Sequence, residues 1–209
     1  FVALASIVVG ALGAIGQSNI KRLMAYSSIN NVGFILVGLA TATQAGASGM
    51  LIYVTIYVAM SIAGFTAILM LKDENGNYVE DIPKLAGLSR TRPGLALALA
   101  TVMFSLAGIP PLFGFWGKFV VFQAAVQADM LALAFIGIAA SVIGAFYYLK
   151  VVKVMYFDEP ADVVKGESDI WHKLILVVAC AFISPLGYLL TSWLGETANT
   201  ATTALFAAL

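Results

Sequence analysis

The 209-residue chain is 61% hydrophobic and only 11% charged, with a mean hydropathy of +0.97, which leaves too little polar surface for a soluble exterior. Eleven basic residues balance eleven acidic ones, and no basic cluster resembles a nucleic-acid-binding tail. The single Cys180 excludes an intrachain disulfide and a multi-cysteine metal site, leaving packing as its role. The composition is that of an all-α polytopic membrane protein embedded in a lipid bilayer.

The chain opens inside an apolar run, Phe1-Val-Ala-Leu, without an initiating Met or a charged leader, and is expected to be the later part of a longer protein. The first of six predicted spans covers residues 1–16, where Gly10, Gly13 and Gly16 recur at helical spacing and let another helix approach closely. After a short charged connection at Lys21 and Arg22, the second span, 23–39, is unusually polar on entry. Tyr26, Ser27, Ser28, Asn30 and Asn31 serve either as interhelical hydrogen-bonding glue or as a hydrated proton path. A small polar loop at 41–48 precedes the third span, 50–71, whose Tyr53, Tyr57 and Ser61 form a stripe for helix contact. Residues 72–92, with Asn75-Gly76 and Pro83, make a polar connection that holds a short amphipathic piece near Leu85 to Leu88. A solvated loop suffices there.

The fourth span, 94–126, is interrupted. Pro110 and Pro111 lack the amide hydrogens that would bond the carbonyls of Leu106 and Ala107, and a residue before proline avoids helical geometry, so two half-helices are predicted. Gly108 and Gly114 flank the break. Lys118 follows it and stands eleven residues before Asp129, the first acid on the far side. At 1.5 Å per residue it lies roughly 15 Å deep, near the middle of a hydrocarbon core about 30 Å thick. An ammonium there costs about 2.5 to 3.5 kcal/mol and marks a candidate functional group, because its stem is too short to snorkel across half a bilayer.

A tight turn at Asp129 leads into the fifth span, 130–157, which carries Tyr147, Tyr148, Lys150 and Lys153 near its end. Lys150 is open to two readings, an interfacial anchor or a proton-path residue. After a polar loop at 158–168 comes the sixth span, 171–194. Its Trp171 and Trp193 are expected to sit about 33 Å apart in the two interfacial belts, with His172 at the interface. Drawn as six crossings, every basic residue but Lys118 falls on one side. That side is cytoplasmic, or matrix in an organelle, and includes Gly76 and Gly166, while Thr43 and Asp129 face the opposite compartment.

The run Asn19-Ile-Lys21-Arg22-Leu-Met-Ala-Tyr26-Ser27-Ser28-Ile, followed by Ser105-Leu-Ala-Gly108-Ile-Pro110-Pro111 and Gly114-Phe-Trp-Gly-Lys118-Phe119, resembles the antiporter-like membrane subunits of respiratory complex I, the proton-translocating NADH:quinone oxidoreductase. These are related to subunits of multisubunit cation/proton antiporters. A lysine followed by Phe119 and Val120 is most similar to the branch called subunit N, whereas Asn31 departs from the histidine found in many relatives. The resemblance implies helices 9–14 of a 14-helix inverted-repeat fold, a bacterial inner membrane or alternatively a mitochondrial one, and other complex I membrane-arm subunits as partners. It implies no cofactor in this chain. NADH, FMN, iron-sulfur clusters and quinone are expected elsewhere in the complex.

It also implies that Lys118 carries a proton, driven by quinone reduction at a distance. Burial disfavours an ammonium, hydrogen bonds from freed carbonyls favour it, and the N-terminal dipole of the second half-helix opposes it, so small rearrangements could load and unload the proton. Two other readings stand beside this one. A cation/proton antiporter subunit would be expected to carry membrane-embedded acids, which the six predicted spans lack. A non-pumping membrane scaffold leaves the midplane lysine without a purpose.

Overall fold

The computed structural model describes residues 1–166 and 169–207. The described residues are helical, with isolated bridges and no named strand. The helices are α1 (Val2–Ile15), α2 (Ile20–Ala40), α3 (Gln44–Leu69), α4 (Leu88–Thr91), α5 (Pro93–Ala107), α6 (Phe113–Gln127), α7 (Leu131–Phe157), α8 (Ile170–Ile183) and α9 (Thr191–Ala207), with 3-10 turns at Ile82–Leu85 and Pro185–Leu190. By length and composition α2, α3 and α7 can each cross a bilayer alone, and α8 with the bent segment after it would make a fourth crossing. By this measure three of the six expected spans are clear, or up to four, because α1 and α5 are shorter and the remaining segments are broken.

α1 and α2 form an antiparallel pair held by small residues. A Cβ on Gly10 would run into the backbone of Asn30, one on Gly13 into the Tyr26 ring, and one on Gly33 into Ile7. Gly16, expected on the same stripe, faces open space, because the helix ends at Ile15 and the chain turns away. α3 is the central element, packed against α2, α5, α6, α8 and α9. It starts six residues earlier than predicted. Thr43 caps it by accepting a hydrogen bond from the Gly46 amide at 3.1 Å, so most of the expected loop at 41–48 is helix.

The connection at 72–92 is not a solvated loop. Its apolar residues Ile82, Leu85 and Leu88 are buried, and its backbone is tied down on three sides. The amides of Ile20 and Ile82 bond the carbonyls of Glu80 and Ser18 at 2.8 Å, Gly87 bonds Val154 at 3.1 Å, and Ala161 bonds Ala86 at 3.0 Å. Lys21 adds an ion pair to Glu80 at 2.7 Å, joined by an Asn19 amide at 2.9 Å. The three basic connections thereby form one platform at one end of the helices.

The sixth span departs most from expectation. α8 stops at Ile183, and the segment beginning at Pro185 leaves at 64°. Pro185 has no amide to continue the ladder, while the Ser184 hydroxyl accepts from the Leu186 amide at 3.2 Å. Trp171 and Trp193 are both exposed, but they do not lie on one straight helix, so the 33 Å spacing does not apply.

Two outcomes are expected. With Cys180 replaced by serine, a membrane-impermeant maleimide should modify Gln127→Cys in sealed right-side-out vesicles and Glu74→Cys only after permeabilisation, because the basic platform marks the inner side; the reverse pattern inverts the orientation. The Lys21 ammonium, then Asn19, hold the Glu80 carboxyl below its ordinary value of 4.5. A depressed folded value contributes stability that is present above the unfolded value and lost as pH falls through the folded one. Hydrogen-exchange protection of the Ile20 and Ile82 amides, corrected for intrinsic rates, should fall on acidification below 4.5. In Glu80→Gln that response should be absent.

Candidate functional site: a buried lysine at a broken helix

The break between α5 and α6 arises from residue types that cannot continue a helix. Gly108 takes the left-handed conformation at φ 78°, and the amides of Gly108 and Ile109 fold back to the carbonyls of Ser105 and Phe104 at 3.0 and 3.1 Å. The next residues, Pro110 and Pro111, have no amide to offer, so the carbonyls of Leu106 and Ala107 stay available. Ser105 joins the two halves, since its hydroxyl accepts from the Gly114 amide at 3.2 Å and donates to the Met60 sulfur at 3.2 Å. Gly114 is needed there, because a Cβ would collide with the Ser105 carbonyl.

Lys118, one and a half turns into α6, is 6% exposed. Its ammonium donates to the Leu106 carbonyl at 2.8 Å, the Ala107 carbonyl at 3.3 Å and the Ser141 hydroxyl at 3.0 Å. The three acceptors match the three hydrogens of an ammonium. The Phe34 ring lies under it at 4.7 Å, a cation–π contact from α2. No carboxylate pairs with it among the described residues. A cavity of about 400 Å³ lies alongside, lined by Gly108, Phe122, Ser141 and Ala145 among others.

Ser141 and Phe34 were not among the expected site residues. A signal for Ser141 exists: it is the sole serine or threonine within 131–157, twelve residues after Asp129 where Lys118 is eleven before it, so an antiparallel hairpin sets both at one depth. Phe34 carries no such mark, because an aromatic residue on an apolar helix is ordinarily core.

A second buried group lies one helical turn before Phe34. The Asn31 side chain accepts from the Tyr53 hydroxyl at 2.7 Å and donates to the Ser27 carbonyl at 2.8 Å and the Tyr148 hydroxyl at 3.2 Å. Ser27 and Tyr148 are also hydrogen-bonded to each other. Tyr147 lies against Tyr148 with ring centroids 4.4 Å apart, and its buried hydroxyl meets no partner in good hydrogen-bonding geometry among the described residues. Other candidates lie apart from this group. Tyr26 packs on Gly13, Ser28 bonds its own helix at Met24, and Lys150 is exposed on the outer face of α7. Cys180 is half-buried near the Ala98 carbonyl, and His172 sits beside Asp169 at 3.9 Å.

Comparison with known proteins follows the same lines. Residues 1–144 match the family described as NADH:quinone oxidoreductase/Mrp antiporter, TM. A protein of Erythrobacter litoralis named NADH-quinone oxidoreductase subunit N is 66% identical over 100% of this chain and 43% of its own length. One of the same name from Sphingopyxis alaskensis is 54% identical over 99% of this chain and 44% of its own length. This chain therefore spans less than half the length of these relatives. Among solved structures, a chain of respiratory complex I from Thermus thermophilus with bound aureothin is 31% identical, with a TM-score of 0.79 over 93% of this chain and 43% of that one. A chain of the Mrp complex from Dietzia sp. DQ12-45-1b, 23% identical over 94% of this chain and 45% of that one with a TM-score of 0.77, shares the fold.

The contrast between the two neighbouring tyrosines is testable. Tyr148→Phe deprives Ser27 and Asn31 of a partner and should destabilise the protein by about 0.6 to 2 kcal/mol, the range for hydrogen bonds between membrane helices. Tyr147→Phe removes a hydroxyl that meets no partner in good hydrogen-bonding geometry among the described residues and should stay within about 0.5 kcal/mol of wild type. Unfolding in detergent micelles measures both, and equal losses would mean that the Tyr147 hydroxyl is held by a partner.

Proposed function

We propose, from the premise that this chain belongs to the NADH:quinone oxidoreductase/Mrp antiporter family of transmembrane proteins, that it is a proton-translocating part of the membrane arm of an NADH:quinone oxidoreductase. In this reading Lys118 takes up and releases the proton. The carrying observation is the Lys118 ammonium, buried and bonded to three neutral oxygens with no carboxylate among its described partners.

An ammonium solvated by neutral dipoles has no fixed anion to hold its proton permanently. Its protonation therefore depends on whether the Leu106 and Ala107 carbonyls remain in reach, and that depends on the break staying open. The hydrogen-bonded group around Asn31 offers a route toward the platform side. Along α7, Ser141 at Lys118 and Tyr148 at Asn31 lie two turns apart on one face. Between them a Cβ on Gly144 would meet the Tyr147 hydroxyl at 3.4 Å.

The same reading has six crossings, with α5 and α6 forming one interrupted span and α8 with α9 another, and with the preceding half of the fold on residues before Phe1. The bacterial relatives favour a bacterial inner membrane, with other membrane-arm subunits as partners. Redox groups and quinone belong to other chains, and this one receives energy through contact. Copurification of NADH dehydrogenase subunits separates this assignment from an Mrp-type assembly.

The test is the proton-to-electron ratio of the assembled complex in reconstituted vesicles. Lys118→Ala and Lys118→Met should lower proton uptake toward background while the complex still assembles on a native gel. Lys118→Arg keeps the charge but resists deprotonation and should also fail. Wild-type pumping by the arginine variant alone would make Lys118 a fixed structural cation; wild-type pumping by all three would remove it from the mechanism.

A further inference from the structure

A second opening lies away from the lysine, where α5 and α8 part on the outer surface. It is a groove of about 690 Å³ whose walls include Leu95, Ala98, Leu176 and Val177. Its upper end, at Thr91, Arg92 and Lys173, opens into a polar pocket of about 600 Å³ that also holds Asp162, Lys165 and the Gly166 backbone. The Arg92 guanidinium is steadied there by the Gly166 carbonyl at 2.7 Å, and Lys165 is occupied by Asp162 at 2.8 Å. Among the described residues Lys173 pairs with no carboxylate.

The groove changes character along its length. Its lower hydroxyls are satisfied within their own helices, Thr101 at the Leu97 carbonyl at 2.9 Å and Ser184 at the Ala181 carbonyl at 2.7 Å. The lower part therefore asks for hydrocarbon and the mouth for an anion. Its length fits one leaflet. From Arg92 to Thr101 is nine residues and from Lys173 to Ser184 eleven, about 14 and 16 Å of helix, against roughly half of a 30 Å core. The slot ends where α8 does, at the bend before Pro185. The mouth also lies at the basic platform, the side where anionic lipid is concentrated if that side is cytoplasmic.

We propose that the groove between α5 and α8 binds one anionic phospholipid, with its phosphate at Lys173 and Arg92 and an acyl chain running down the slot to Ser184. A transmembrane helix of another polypeptide would cover the apolar walls but satisfy the basic mouth only if it carried a carboxylate at that level, whereas an anionic lipid brings hydrocarbon and phosphate together. A zwitterionic lipid would fill the slot with no preference for it. The assignment does not depend on proton transfer at Lys118.

The experiment uses the intact complex in detergent, incubated with phosphatidylglycerol or phosphatidylcholine carrying a diazirine on the acyl chain. After photolysis, labelled peptides are identified by mass spectrometry. Peptides of α5 and α8 should be labelled by the phosphatidylglycerol probe about fivefold more than by the phosphatidylcholine probe, the factor equivalent to about 1 kcal/mol for one basic side chain at an anionic headgroup. Lys173→Glu should bring the two probes level, and Ala181→Trp, which fills the slot, should lower labelling by both. Equal labelling of wild type by the two probes would overturn the proposal. So would a preference unchanged by Lys173→Glu, or the absence of labelling on these peptides with either probe, as expected if another polypeptide covers the slot.

Discussion

One hydrogen-bonding constraint organises the molecule: in a bilayer the carbonyls freed by a helix break must find donors inside the protein. Here the carbonyls of Leu106 and Ala107 find the Lys118 ammonium, and the ammonium finds in them a substitute for water. Each would be costly without the other. Much of the surrounding structure serves to keep them together, from the left-handed Gly108 to the Ser105 hydroxyl that links the half-helices.

The break is held open from outside by a second one. Pro185 turns the chain at the end of α8, so that Phe182 from the last turn of α8 and Tyr188 from beyond the bend both meet Phe113 at the start of α6, with ring centroids 5.5 and 5.4 Å away. Trp116 stacks on the same ring at 5.3 Å. Gly187 admits this contact, since a Cβ there would meet the Phe113 ring. The Tyr188 hydroxyl donates to the Leu112 carbonyl at 3.4 Å, inside the break itself. Two interruptions therefore brace each other through an aromatic cluster. At the other end of the helices the platform of connections fixes their ends through backbone bonds and the Lys21–Glu80 pair.

Polar groups in this chain fall into three environments with different physical meaning. Around Asn31 they are buried and largely mutually satisfied, which orients α2, α3 and α7. At Lys118, the single buried charge among the described residues, the ammonium is satisfied by dipoles alone. At the platform, carboxylates and amines pair in water, where each pair is worth little alone and the backbone bonds dominate.

Depth and chemistry along the chain were legible without coordinates. Two prolines forbid a continuous helix after Ala107, Lys118 is the one basic residue inside a long apolar stretch, and the other basic residues collect in alternate connections. Such features are local, set by residue type and by a fixed rise per residue. Contacts between segments were not legible. Phe34 and Ser141 meet Lys118, Tyr148 meets Ser27 and Asn31, and the 72–92 connection packs down, only because distant segments are brought to the same place. The bend at Pro185 had a local cause in the sequence, but its effect did not. A proline states only that a bond is missing, and tertiary packing decides which way the chain turns and which aromatic rings receive it.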